Sequence, residues 1–316
     1  SPSFRFDIEI EADLIEEIGR VYGYENIPDD YTSGRLKMLA LPETKRPRFA
    51  VYNEMAARGY REVVSYAFVD EQWEQDFAAN THPIRLQNPL AAQYAVMRST
   101  LIGGLVEVLQ NNLNRKQNRV RVFEIARVFS KDSANQFVQN ERIGGLWYGS
   151  VLPEQWGEKT RNVDFYDMKA DVESLLKNKE VSFVKTEHPA LHPGRAANIF
   201  SDGKVVGFVG ELHPKWLQKY DLPQAPLVFE IDMDAVLGRE KTRYQTVSKF
   251  QPARRDLAFV MPEAVTHDDL LNALKAAANK LVQEISVFDV YRGTGVPEGM
   301  KSVAVKIILQ DMENTL

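Results

Sequence analysis

The sequence predicts an α+β fold in which a mainly antiparallel sheet carries packed helices and a smaller β-α-β-β unit follows. Three observations carry this. Stretches with strand character outnumber helical ones and often succeed each other through turns, where a doubly wound parallel sheet would need regular alternation of strand and helix. The 316 residues exceed the roughly 250 to 300 that one hydrophobic core supports, so two or more domains are expected. An apolar fraction of 44% and a charged fraction of 26% are those of globular proteins in water, and no run approaches the roughly 20 apolar residues of a membrane helix. A soluble, cytoplasmic protein without membrane contact is expected.

Residues 4–10 (Phe-Arg-Phe-Asp-Ile-Glu-Ile) alternate apolar and polar, the period of a half-buried strand. A helix over 12–21 follows, with Leu14, Ile15, Ile18 and Val21 on one stripe and Gly23 as its stop. Residues 28–47, with three prolines, Gly34 and scattered charges, read as a linker. A helical pattern from Arg48 to Gly59 (Phe49, Tyr52, Met55, Ala56) feeds an extended, aromatic strand over 60–69, and 85–89 closes another strand. Leu101 to Leu113 is an amphipathic helix entered by Ser99-Thr100 as caps, and 119–130 is a long alternating strand. Residues 142–149 are apolar and punctuated by glycine, 164–178 are helical, 198–210 form a hairpin turning at Asp202-Gly203, and 227–232 are one more strand.

Beyond the basic stretch 238–249 lies the second unit: strand 257–261, helix 267–281, strand 282–291, a glycine-rich turn over 293–299 and strand 302–310. This is most of a split β-α-β, ferredoxin-like arrangement whose final α-β is missing, so the domain is expected to be incomplete. The start, Ser1-Pro-Ser-Phe-Arg-Phe-Asp, carries no initiator Met, basic n-region or apolar h-region. It reads as neither a signal peptide nor a natural beginning, and a fragment is expected.

Composition excludes several chemistries. Without cysteine there is no disulfide, zinc-thiolate site or cysteine nucleophile. A net charge of −5 argues against a surface coated for nucleic acid, so any RNA contact must be local. His188 and His192 stand four apart, but Pro189 and Pro193 break the helix that this spacing would need, and His213 also precedes a proline. They read as loop histidines. Arg195 beside Gly194 reads equally as an anion clamp or as half of an ion pair in a turn.

Two constellations remain. Asp13, Glu16 and Glu17 share one helical face at i, i+3 and i+4, near Asp7 on the preceding strand. Hard oxygen ligands of this kind suit Mg2+. The same residues read as first-turn acids favoured by the helix dipole, with Asp-x-x-Glu resembling a capping box, and spacing alone leans that way. In the second unit, Lys249, Arg254, Arg255 and Arg292 are interleaved with Phe250 and Tyr291, a mixture suited to single-stranded RNA loops. A solvated charged face beside core aromatics explains it as well.

The motifs resemble a known family. Phe4-Arg-Phe-Asp-Ile with Glu11-Ala-Asp-Leu-Ile-Glu-Glu-Ile-Gly-Arg-Val-Tyr-Gly-Tyr-Glu-Asn-Ile-Pro28 is similar to the close of the helix-turn-helix-like domain of bacterial phenylalanyl-tRNA synthetase β subunits. His192-Pro-Gly-Arg-Ala-Ala197 with Gly207-Phe-Val-Gly-Glu-Leu-His-Pro214 resembles their class II synthetase-like core. Phe250-Gln-Pro-Ala-Arg-Arg-Asp-Leu-Ala-Phe259 and Phe288-Asp-Val-Tyr-Arg-Gly293 resemble their ferredoxin-like anticodon-binding domain. The resemblance implies four parts: residues 1–30 close the first domain, 31–47 link, 48–240 form a noncatalytic synthetase-like domain, and 241–316 form a truncated anticodon-binding domain.

It further implies an (αβ)2 heterotetramer in which the α subunit binds ATP and charges tRNA(Phe) with phenylalanine. This stretch of β would scaffold α, hold Mg2+ at Asp7, Asp13, Glu16 and Glu17, and bind tRNA through Lys249, Arg254, Arg255, Tyr291 and Arg292. Arg48 to Phe68 resembles the class II helix-plus-strand, and Arg121-Val-Phe-Glu124 echoes the strand with an ATP-binding arginine ahead of a glutamate. Gly210, however, is followed by Glu-Leu-His-Pro where a catalytic site needs a second arginine for the ATP phosphates. No catalytic residue is therefore expected. The apolar faces over 49–56 and 101–109 read evenly as an interface to α or as core, and left bare they would favour self-association. The alternative function is a stand-alone RNA-binding or structural paralogue.

Overall fold

The computed structural model describes residues 3–31, 33–35, 42–177, 179–244 and 246–316. Thr32 and residues 36–41 of the predicted linker, Asn178 at the end of a predicted helix and Gln245 in the basic stretch lie outside the described residues. The chain divides into two compact units, Ser1–Lys241 and Thr242–Leu316.

In the first unit, helix α1 (Glu11–Tyr22) is followed by α2 (Arg48–Ala57), strands β1 (Arg61–Glu62) and β2 (Phe68–Val69), and helix α3 (Glu71–Ala78). Then come β3 (Val96–Met97), α4 (Ile102–Asn114), β4 (Val120–Lys131), β5 (Phe137–Tyr148) and α5 (Phe165–Leu175). Strands β6 (Val181–Lys185), β7 (Leu191–Ser201) and β8 (Lys204–Leu212), helix α6 (Pro214–Lys219), strand β9 (Leu227–Asp232) and helix α7 (Met233–Leu237) complete it. Seven strands form one sheet in the order β1-β4-β5-β9-β8-β7-β6. Only β1 with β4 is parallel; every other pair is antiparallel.

Helices cover both faces. On one, Val51 and Met55 of α2, Met168 and Val172 of α5 and Val236 of α7 pack on Phe123, Ile143 and Phe229. On the other, Leu101 with Leu105 and Leu109 of α4, Phe77 of α3 and Trp216 of α6 pack on Val122, Leu146 and Val228. Full burial of each such side chain contributes about 1.5–3 kcal/mol, so the predicted amphipathic helix at 101–113 is core. Gly144 and Gly145 in β5 permit the close approach. A Cβ on Gly145 would stand 2.2 Å from the Phe229 ring, and one on Gly144 would stand 3.1 Å from Leu101. The β7–β8 hairpin turns at Asp202 and Gly203 with φ of 52° and 76°, the left-handed pair that a two-residue turn requires.

Several local expectations are corrected. Residues 4–10 form turns rather than a strand: alternation supplies a face, but among the described residues no strand pairs with it. Phe4 and Phe6 are 75% and 86% exposed. The strand read over 60–69 splits into β1 and β2, since Ser65 turns its N–H and hydroxyl onto the Glu124 carboxylate. Residues 85–89 make only an isolated bridge, Arg85 to Val96. Helix α3, capped by the Asp70 side chain on Gln72 N, was not anticipated, nor were β6, α6 and α7.

The second unit is β10 (Ala253–Pro262), α8 (His267–Ala277), β11 (Val282–Tyr291) and β12 (Met300–Leu309), the β-α-β-β order read from the sequence. The sheet order is β10-β12-β11, all antiparallel. Leu270 of α8 packs on Met261, Val303 and Val305, and among the described residues no helix packs on the opposite sheet face. Among the described residues no helix is long and apolar enough to cross a membrane.

Candidate functional site

Around α1, Arg5 organises the acidic residues. Its Nη2 donates to Asp7 Oδ2 at 2.8 Å and to Glu17 Oε1 at 2.7 Å, while Arg20 Nη2 donates to Glu17 Oε2 at 2.7 Å. Arg5 and then Arg20 push the Glu17 carboxyl down to about 2. Asp13 Oδ2 accepts the N–H groups of Glu9 at 2.8 Å and Ile10 at 2.9 Å, closing the helix start. Its carboxyl lies below the usual range mainly through the Ile10 amide. Glu16 is exposed. Asp13 is thus a first-turn acid that closes the cap on Ile10, rather than the first member of an Asp-x-x-Glu box. Among the described residues no group of three or more His, Asp or Glu side chains is placed to hold a metal ion. Arg5 and Arg20 thus hold Asp7 and Glu17, two backbone amides hold Asp13, and Glu16 stands exposed beside them.

On β4, Arg121 and Glu124 are three residues apart and therefore point to opposite sheet faces. Arg121 lies 3.5 Å from the centroid of Trp147 and 4.4 Å from that of Tyr60, and pairs with Asp171. Asp171 also accepts Arg58 Nη1 and Tyr60 OH, each at 2.7 Å, and with the aspartate so close, burial raises the phenol well above its ordinary range. Glu124, on the other face, accepts Arg98 Nη1 at 3.0 Å and Ser65 Oγ at 2.6 Å. The two cannot act on one nucleotide.

Two strand–helix junctions lie at the centre of the sheet. At β8–α6, His213 Nδ1 accepts Lys215 N, and Glu211 is paired with Arg195, so Arg195 takes the ion-pair reading. At β9–α7, Arg142 reaches in from β5 to Glu230 at 2.7 Å and Asp232 at 3.0 Å. Neither junction carries an arginine of its own. His192 Nδ1 accepts Gly194 N in the irregular stretch of β7, and the His188 ring lies 4.1 Å from that of Phe208. Burial, then Arg142, pushes His188 down to about 4. All three histidines serve backbone geometry or packing; His188 and His213 lie outside helix and strand as expected, whereas His192, expected in a loop, lies in β7.

In the second unit the five basic and aromatic candidates do not converge. Arg254 pairs across from Ile308 and Tyr291 across from Ser302, six residues apart on β12, or roughly 20 Å at strand rise. Arg254 and Arg255 face opposite sides, the latter in register with Ile307 on the α8 side. Arg254 is held by Asp256 at 2.8 Å and lies 5.4 Å over the Phe288 ring on the helix-free face. Arg255 donates to the Arg254 carbonyl, Arg292 pairs with Glu263, the Tyr291 hydroxyl donates to the Thr294 carbonyl, and Lys249 is exposed before β10. Phe288 is the residue that alternation missed. A bulge between Val287 and Asp289 changes the register there and leaves Phe288 52% exposed.

Residues 27–233 match the family model for the phenylalanyl-tRNA synthetase beta chain CLM domain. Residues 248–316 match the ferredoxin-fold anticodon binding domain, and residues 1–24 match the tRNA synthetase B5 domain. Phenylalanine–tRNA ligase beta subunits from Neisseria meningitidis serogroup B and Neisseria gonorrhoeae are 89% and 87% identical over the whole chain. That of Chromobacterium violaceum is 57% identical. In each case the chain spans 40% of the relative's length. The domain matches together define a tRNA synthetase chain, built on a seven-stranded, mainly antiparallel sheet with a ferredoxin-like unit after it. More particularly, the chain belongs to the phenylalanyl-tRNA synthetase beta chain family.

Proposed function

We propose that this chain is the part of a phenylalanine–tRNA ligase β subunit that supports ATP-dependent attachment of phenylalanine to tRNA(Phe). In that role it scaffolds a catalytic α subunit in a cytoplasmic (αβ)2 assembly and contacts the anticodon region, without chemistry of its own. The observation that carries the reading is the anticodon-binding match over 248–316, on a unit whose sheet has one face on which, among the described residues, no helix packs. RNA loops are recognised by aromatic stacking and arginine contacts, and that face offers Phe288 with Arg254. Lys249, Arg255, Tyr291 and Arg292 then serve as flanking contacts rather than one patch.

Separation of Arg121 from Glu124 and the arginine-free junctions support a silent sheet, since neutralising developing phosphate charge is the main task of such a site. ATP belongs to α in this proposal, and Mg2+ to Asp7, Asp13, Glu16 and Glu17 of this chain, since Mg2+ is held by a few carboxylates together with waters. No step is assigned to an ion at Asp7, Asp13, Glu16 and Glu17 in their present arrangement. Exposed Leu14, Ile15, Ile18 and Val21 of α1 and Phe49 of α2, all above half exposed, support burial of these faces in a larger assembly. The test is reconstitution. Mixing the chain, and separately the complete β chain, with α and tRNA(Phe) should yield a copurifying, charging enzyme at least with the complete chain. Failure of the complete chain to associate with α refutes the reading.

A further inference from the structure

Helix α4 carries a free carboxylate to a cavity walled by aromatic rings, which no part of the proposed function uses. Gly103 and Gly104 let the helix pack closely there: a Cβ on Gly103 would stand 2.6 Å from the Trp73 ring, and one on Gly104 would stand 2.3 Å from Ser65 Oγ. Glu107 lies four and three residues further on, so it shares that helical face. Phe68 of β2, paired with β3, forms another wall, and Tyr94 ahead of β3 meets Tyr66 with ring centroids 5.1 Å apart at 49°. The space between these residues is about 120 Å3, roughly the volume of four waters.

The lining is one-sided in charge. Tyr66, Phe68, Trp73 and Tyr94 supply rings, Glu107 and Asp70 supply carboxylates, and among the described residues no basic side chain lines the cavity. Glu107 is only partly exposed, yet it has no hydrogen-bond or ion-pair partner among the described residues. Asp70 gives one oxygen to the Gln72 N–H that starts α3. Arg98 stands behind Ser65, but Glu124 at 3.0 Å meets its charge, and Ser65 Oγ is shared between those two. Tyr66 is 67% exposed, so the wall that it forms is reachable from solvent.

We infer that this cavity is a cage for an alkylated ammonium group, with Tyr66, Trp73 and Tyr94 as its ring faces and Glu107 as its counter-ion. A cation over an aromatic face is attracted by the negative centre of the ring, and the attraction grows as water is excluded. Rings outnumber acceptors here, which suits a head without N–H donors: a primary ammonium would leave donors facing carbon, whereas a quaternary one has none to satisfy. An anion would meet two carboxylates and no cation. The head comes either from a free quaternary amine or from a methylated lysine side chain, and the shared chemistry is the trimethylammonium group.

Nuclear magnetic resonance titration of the chain with tetramethylammonium chloride, at ionic strength held constant with sodium chloride, tests this through the Trp73 indole N–H. The resonance should shift saturably with a Kd in the millimolar range, as a few cation–ring contacts imply. Neutral tert-butanol, of similar shape, should bind about tenfold more weakly or less well still. Glu107→Gln keeps the shape of the side chain and removes its charge, and should weaken tetramethylammonium about tenfold. Tyr66→Leu removes an exposed ring and should weaken binding at an unchanged melting temperature, so a poorly folded Glu107 variant does not decide the matter. Capped trimethyllysine binding tighter than tetramethylammonium assigns the head to a protein side chain, and equal or weaker binding assigns it to a free small molecule. Absence of a saturable shift, equal binding of tert-butanol, or unchanged affinity in both variants overturns the cage.

Discussion

Arg98 and Glu124 sit 3.0 Å apart with side chains 5% and 3% exposed, so neither charge has water to turn to. Removing one partner strands the other. Arg98→Ala should lower the unfolding free energy by about 3–5 kcal/mol in denaturant melts, and the loss should shrink when Glu124→Gln is added. His188 gives a pH dependence of definite sign. Its Nδ1 accepts the Ala190 N–H at 3.2 Å, and the folded protein holds the ring neutral to about pH 4, against about 6.5 for an unperturbed histidine. Between those values the unfolded chain binds the extra proton, so stability is full above about pH 6.5 and declines towards pH 4. The difference should be on the order of 3 kcal/mol, at about 1.4 kcal/mol per pH unit between those values. Thermal melts of wild type and His188→Phe across that window check it: the slope of the difference should vanish above neutrality. The placement of His188 and His213 outside helix and strand was legible from their prolines, but that of His192 in β7 and the packing of His188 on Phe208 were not, because both depend on the neighbouring strand β8.

At the scale of elements, periodicity located α1, α2, α4, β4 and β9 well, because their apolar stripes match the faces or helical turns that form. It failed at 4–10, where alternation had no strand to pair with, and at α3, where the signal was an Asp70 cap ahead of a short helix rather than a long apolar stripe. Strand alternation also splits what sequence adjacency joins. Arg254 and Arg255 are adjacent in the sequence, yet they project from opposite faces of β10, and only Arg254 meets Phe288. In the assembled enzyme, Arg254→Glu should weaken tRNA(Phe) binding by about tenfold at moderate salt, while Arg255→Glu should change it by no more than about twofold. Filter-binding titrations of the two single variants distinguish them. Equal effects would move the RNA surface off the helix-free face.

For the whole molecule, the helix-covered sheet and its arginine-free junctions lead to an expected inactivity: supplied with ATP and phenylalanine, the chain alone should form no adenylate in a pyrophosphate-exchange assay. Measurable exchange would mean that Arg121 or Arg142 leaves its buried carboxylate to bind phosphate. The sequence by itself determined the α+β class, the β-α-β-β order of the second unit, the hairpin at Asp202-Gly203 and the motifs that place the chain in its family. These follow from turn chemistry and residue period, which are local properties of the backbone. Only the tertiary structure decided which charges are spent and which are open. Arg58 meets Asp171 across 113 residues, Arg5 closes on Asp7 and Glu17, and Arg46 keeps a buried edge unpaired. The availability of a charged group depends on what distant segments bring to it, and that is a property of packing rather than of spacing.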